Sequence, residues 1–135
     1  MAMFVKNSHW EKVKFRQYRL LVDTKYQTGI FGSNIRTKFA HLTPDGMLTL
    51  FAGFIWDGAT GALDTLSVMR ASAFHDWFCT NVANGILDPR FRRLGDDIFR
   101  DIMIEDGVPI WRVRYAHFAV VTYGKIVVAK LNVIS

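Results

Sequence analysis

The tetrapeptide Thr43-Pro44-Asp45-Gly46 is the sequence feature that most constrains how this chain folds. It has Pro at the second turn position and Gly at the fourth, as a type I turn prefers. Apolar segments flank it at Ile35–Leu42 and Met47–Phe54, which predicts an antiparallel β-hairpin. The segment Tyr18–Tyr26 is apolar and partly β-branched and predicts further β structure. Residues 1–54 are therefore expected to be mainly β.

The second half of the chain carries helical signals. Asp64 or Thr65 can serve as the first N-cap, and the second helix is expected to stop near Asp106-Gly107. Pro109 suits the first turn of a third helix, with Gly124 as its C-cap. The expected helices are Leu66–Asn81, Leu94–Glu105 and Pro109–Tyr123.

These signals predict one α+β domain over residues 1–135: an N-terminal antiparallel hairpin or small sheet, then a loop and a three-helix core over residues 55–124. Residues 125–135 form an apolar tail, interpreted as a strand or a docking arm. The chain has 135 residues, of which 50% are hydrophobic, enough for a buried core. Its one cysteine, Cys79, excludes an intrachain disulfide.

The net charge and the targeting signals bear on the binding partners and the cellular location of the chain. The net charge of +5 favours anionic partners such as acidic lipid surfaces, although the basic residues are dispersed and also suit a plain solvated surface. No helix-turn-helix, zinc knuckle or aromatic-basic strand motif appears, so nucleic-acid binding is not expected. No signal peptide or membrane-spanning run is evident, which predicts the cytoplasm of a producing cell or a particle assembled there.

His75 and Asp76 are the most concentrated chemistry in the sequence. On one helix they point about 100° apart, into neighbouring regions. Asp96 shares its helix face with apolar residues, so it is the carboxylate expected to point inward, and it then needs a partner. A histidine on a neighbouring helix is the natural partner. Oriented by Asp96, His75 can act as a general base toward water.

The loop after the hairpin is a candidate cation site. Asp57 and Gly58 can offer one carboxylate and several backbone carbonyls, and with Asp76 nearby this set suits a hard cation such as calcium. The spacing is not that of an EF-hand.

Three stretches together resemble a family of small phage and prophage proteins of unknown function. They are Gly53-Phe54-Ile55-Trp56-Asp57-Gly58-Ala59-Thr60, Ala73-Phe74-His75-Asp76-Trp77 and Arg93-Leu94-Gly95-Asp96-Asp97-Ile98-Phe99. More remotely, the skeleton is similar to the bacterial and fungal branch of secreted phospholipase A2. That resemblance implies a general base at His75, its partner carboxylate at Asp96, and calcium held by Asp57, Gly58 and Asp76.

Two functions follow as hypotheses. The first is a phage-encoded, calcium-dependent ester hydrolase that acts on membrane phospholipid. The second is a non-catalytic virion structural or assembly protein that uses the same fold to bind other virion proteins.

Other residues admit alternatives. Cys79 could be a nucleophile but is interpreted as a small buried hydrophobe. His41 before the His-Asp pair matches the layout of metal-dependent phosphohydrolases, which are all-helical. Trp56 could gate a site or touch a membrane, and His117 shows no evident partner.

Overall fold

The computed structural model describes residues 9–14, 17–57 and 68–134, and only the backbone for residues 127–134. It confirms the α+β class, with antiparallel strands early in the chain and three helices after them. The strands are β1 (Trp10–Lys14), β2 (Gln17–Leu20), β3 (Thr24–Gln27), β4 (Ile35–Thr37), β5 (Ala40–Leu42), β6 (Met47–Leu50) and β7 (Ile55–Asp57). The helices are α1 (Met69–Ala83), α2 (Phe91–Glu105) and α3 (Ile110–Ile134).

The chain divides into two compact units, residues 1–58 and residues 59–135. We refer to them as the β unit and the helical unit. The expectation of a single domain stays a prediction. None of the helices within the described residues combines the length and the apolar character that a bilayer span requires.

The predicted hairpin joins β5 to β6. The Gly46 amide donates to the Thr43 carbonyl at 2.9 Å, which closes the turn, and Gly46 has a φ of +89° that suits glycine. Leu42 pairs with Leu48 across the two strands, and both side chains are fully buried. The period-2 alternation places such residues on one face of the four-stranded sheet β3-β6-β5-β4.

Two predicted β segments are interrupted. Ile35–Leu42 is not one strand, because a turn at Lys38-Phe39 folds it into the hairpin β4–β5. Tyr18–Tyr26 likewise breaks at residues 21–23, so that β2 and β3 enter different sheets. Hydrophobic patterning alone does not report such short reversals.

A second sheet has the order β1-β2-β7. Tyr18 pairs with Trp56 across β2 and β7, and Trp10 packs edge-on against Tyr18 with ring centroids 5.4 Å apart. Trp56 is only 2% exposed. The interpretation of Trp56 as a gate or membrane contact is therefore wrong, since the ring belongs to the core of the β unit.

The helix boundaries differ from prediction by two residues or more at three ends. The expected start at Leu66 and its caps lie outside the described residues, and α1 continues two residues beyond Asn81. Helix α2 starts at Phe91 rather than Leu94, because Asp88 accepts the Arg90 amide at 2.9 Å and Pro89 suits the turn that leads into a helix. Its predicted end near Gly107 is confirmed.

Gly124 does not end α3. The helix continues to Ile134, so the strand interpretation of the tail is wrong, while the docking-arm interpretation stays a prediction. One glycine inside a helix costs only about 1 kcal/mol relative to alanine. The space around Gly124 would also hold a methyl group, since a Cβ there would sit 3.4 Å from Asp96 Oδ2, an ordinary contact distance.

Helices α1 and α2 approach closely at Gly95. A Cβ there would lie 2.6 Å from the Phe78 Cβ, well inside ordinary contact. Phe78, Phe99 and Ile102 are fully buried around this point and form the core of the helical unit. The close approach determines which polar side chains of α1 and α2 can meet.

Candidate functional site

His75 and Asp96 meet between α1 and α2. His75 Nε2 lies 2.7 Å from Asp96 Oδ1, a strong hydrogen bond for an imidazole and a carboxylate. The bond is possible because Phe78, one turn after His75, packs on Gly95, the residue before Asp96. Asp96 is 1% exposed, whereas the His75 side chain retains 15% of its exposure. The carboxylate is thus internal, whereas the His75 side chain is partly exposed.

Arg92 adds a cation near the same carboxylate oxygen that His75 contacts. Its Nε lies 3.7 Å from Asp96 Oδ1, one helical turn away on α2. Its guanidinium also lies over the Tyr123 ring of α3, 5.7 Å from the centroid. Sequence reasoning missed Arg92, although the i, i+4 spacing to Asp96 is a signal that identifies such a pair.

The Arg92 charge offsets the cost of burying Asp96 as an anion. Its Nε is buried without a hydrogen-bond partner among the described atoms, so the contact is electrostatic rather than a hydrogen bond. An ionised Asp96 accepts the proton on His75 Nε2, which leaves the lone pair on Nδ1. The Phe99 ring, 5.0 Å from the imidazole, helps to orient it.

Cys79 lies beside the imidazole, with its Sγ 3.7 Å from both ring nitrogens. Burial raises the pKa of the Cys79 thiol to about 12. The Arg92 charge lowers this pKa, whereas the carboxylates of Asp96 and Asp76 raise it further. The thiol is therefore protonated at neutral pH and is a poor nucleophile. The predicted small buried hydrophobe is thus a half-buried, protonated thiol that packs on the imidazole.

The residues predicted to bind calcium are placed as follows. Asp76 follows His75 on α1 and is partly exposed. This residue is not without a partner in the structure. Asp57 is an exposed carboxylate at the end of β7, in the other unit. Gly58 lies outside the described residues.

The two carboxylates fit calcium by chemical type, since hard oxygen ligands are what it prefers. In the part of the chain that the structure describes, no three His, Cys, Asp or Glu side chains gather as a metal site. A calcium ion at either carboxylate would need backbone carbonyls or water to complete its coordination.

A second histidine-aspartate pair links α2 to α3. His117 Nε2 lies 2.9 Å from Asp97 Oδ1, and Arg93 Nε lies 3.1 Å from the same oxygen. The expectation that His117 has no partner is therefore wrong. Burial of Asp97 is outweighed by the hydrogen bonds from His117 and Arg93, which lower the pKa of Asp97. Consecutive aspartates thus bind histidines of different helices.

His41 does not fit the phosphohydrolase alternative. It lies on β5, where its Nε2 is 2.7 Å from Asn34 Oδ1 and its Nδ1 is 3.3 Å from an Arg36 nitrogen. That alternative required an all-helical chain, which the two antiparallel sheets contradict.

One known protein family matches more than half of the chain. A family model described as "Protein of unknown function (DUF1353)" matches residues 42–120. The matched region runs from Leu42, the last residue of β5, through β6 and β7, and it includes both histidine-aspartate pairs and the start of α3. No curated protein and no solved structure matches the chain.

Proposed function

The chain belongs to the DUF1353 family, and we propose that it is an ester hydrolase whose general base is His75, oriented by Asp96. The observation that supports the proposal is the 2.7 Å contact between a partly exposed histidine and a buried carboxylate. A carboxylate inside the core costs stability unless it has a partner, and here the partner is a group that transfers protons near neutral pH.

In the proposed reaction, His75 Nδ1 takes a proton from a water molecule whose oxygen attacks the acyl carbon. Asp96 stabilises the imidazolium that forms, and the Arg92 charge keeps the carboxylate paired throughout. When the tetrahedral intermediate collapses, the ester C–O bond breaks and the imidazolium returns the proton to the leaving alcohol. Water supplies the atoms added to both products.

The finer proposal is a phospholipase A2-like activity on phospholipid. Asp76 and Asp57, with the carbonyl of Gly58, would hold calcium, which when bound would polarise the ester carbonyl. A residue order that resembles phospholipase A2 motivates this part of the proposal, together with the place of Asp76 next to His75. Calcium dependence is measured separately from hydrolysis.

The test is fatty-acid release from phospholipid vesicles, with calcium and with a chelator. We expect His75→Asn and Asp96→Asn to lower the rate at least 10²-fold, the usual size of a general-base contribution. His117→Asn is the matched control, because it alters the other histidine-aspartate pair of α2 and should keep the rate. Equal activity of His75→Asn and the unchanged protein would refute the assignment.

The second candidate is a non-catalytic particle component that docks other proteins on a rigid fold. The exposed apolar side chains of α3, Trp111, Tyr115 and Phe118, favour it, since large exposed apolar patches are typical of interaction sites. It predicts that folded His75→Asn protein is incorporated into particles as efficiently as the unchanged protein. Particles that lose the variant would argue against it.

A further inference from the structure

Helix α3 presents aromatic side chains to solvent along one face. Trp111 is 68% exposed, Tyr115 is 65% exposed and Phe118 is 72% exposed. Ile126, 51% exposed, lies two turns beyond Phe118. We call these four residues the α3 stripe. By the helix period they fall within about 80° of the circumference.

The stripe is not required by the packing of the helical unit. Val113, Ala116 and Gly124 are the buried residues of α3 in this region, and they lie on the opposite side of the helix. Helix α3 therefore has a core face and a second apolar face exposed to solvent. Large exposed aromatics at helical spacing are typical of surfaces that bind something.

The charge of α3 indicates which kind of partner surface the α3 stripe can bind. The sequence of α3 contains four basic residues and no acidic residue: Arg112, Arg114, Lys125 and Lys130. Arg114 and Lys125 are exposed and lie along one edge of the stripe, while Arg112 lies beyond the other edge. Basic residues beside aromatic ones suit an interface whose head groups are anionic and whose interior is apolar.

We propose that the α3 stripe binds the surface of an anionic phospholipid membrane, with α3 lying along the interface. Trp, Tyr and Phe rings would enter the boundary between head groups and acyl chains, and Arg114 and Lys125 would contact lipid phosphates. A second copy of the chain fits this face less well, because two helices without acidic residues repel each other. The inference deepens the proposed function, since it places the enzyme where an ester of phospholipid is found.

The tryptophans make the test direct. The sequence has four, and Trp10, Trp56 and Trp77 are buried, so Trp111 is the exposed reporter. The purified full chain is mixed with vesicles of phosphatidylglycerol and phosphatidylcholine in equal amounts, and with vesicles of phosphatidylcholine alone. Flotation measures binding, and lipids brominated on the acyl chain measure quenching of Trp111.

We expect binding and Trp111 quenching with the anionic vesicles, and at least tenfold weaker binding to phosphatidylcholine alone. Arg114→Gln and Lys125→Gln should each weaken binding about fivefold. Phe118→Glu should abolish it. Ile104→Glu is the matched control, because it places the same charge on an exposed apolar position of α2 and should change binding less than twofold.

Failure to bind anionic vesicles, or equal binding by Phe118→Glu, would overturn the inference. So would a dimer of the unchanged protein that Phe118→Glu converts to a monomer, since the stripe would then be occupied by a second copy. His75→Asn separates the two proposals, because it should bind vesicles like the unchanged protein. Binding without fatty-acid release refutes only the hydrolase, whereas hydrolysis of a short-chain soluble ester without vesicle binding refutes only the membrane surface.

Discussion

Replacing Gly95 with alanine should separate α1 from α2 and break the contact on which the proposed site depends. The added methyl would lie 2.6 Å from Phe78 Cβ and 2.8 Å from its Cγ. Ordinary contact begins at 3.4 Å, so the helices must part by about 0.8 Å. Phe78 Cβ is fixed to the backbone and cannot rotate away.

Overpacking of this kind costs about 2–3 kcal/mol, and the better helix propensity of alanine returns about 1 kcal/mol. The expected net loss of stability is about 1–2 kcal/mol, or about 4–8 °C in Tm. The same shift would lengthen the His75–Asp96 contact from 2.7 Å to about 3.5 Å, beyond a useful hydrogen bond. Fatty-acid release should therefore fall about 10²-fold.

Thermal and urea unfolding, together with the vesicle assay, measure both effects. Gly124→Ala is the matched control, since its methyl would meet no atom closer than 3.4 Å. It should leave stability unchanged or raise it by up to about 1 kcal/mol. Gly95→Ala protein that is as stable as Gly124→Ala would refute the reasoning about helix packing.

Three further predictions concern other parts of the molecule. Because burial raises the pKa of Cys79 to about 12, a thiol reagent at pH 8 should label the native protein at least 10²-fold more slowly than the unfolded chain; fast native labelling would contradict this. Burial opposes ionisation of Asp97, but the hydrogen bonds from His117 and Arg93 lower its pKa below the usual 3.8. The ionised carboxylate therefore contributes fully to stability above pH 3.8, and this contribution is lost as the pH falls through the lower pKa of the folded state. In urea titrations at pH 6 and pH 3, Asp97→Asn should lose less stability on acidification than the unchanged protein. Gly53 has a φ of +101° and a methyl there would lie 2.6 Å from the Phe39 ring, so Gly53→Ala should destabilise the β unit by about 2–3 kcal/mol; an unchanged urea midpoint would argue against this.

Local signals in the sequence identified the elements but not all of their boundaries. The Thr43–Gly46 turn was predictable because Pro and Gly occupy the positions at which type I turns prefer them. The break at Lys38-Phe39 was not, since no Gly, Pro or Asn marks it. Gly124 misled the prediction in the opposite way, because glycine is a common C-cap but here lies inside a helix that continues to Ile134.

Helical periodicity predicts which face of a helix a side chain lies on, and this made part of the site predictable. Asp96 could be assigned to the inward face because its i+3 neighbour Phe99 is apolar, and His75 was the obvious partner. The link from His117 to Asp97 could not be found this way, because it depends on how α3 crosses α2. Calcium binding by Asp57, Gly58 and Asp76 and catalysis by His75 stay predictions that the vesicle assay addresses.

The adjacent aspartates of α2 have a consequence for the order in which the helical unit opens. Asp96 ties α2 to α1 through His75, and the next residue ties it to α3 through His117. Either neighbouring helix can fray without releasing the other, but α2 cannot open unless both ties break. Amide hydrogens in the middle of α2 should therefore exchange with solvent only on global unfolding, more slowly than those at the ends of α1 and α3.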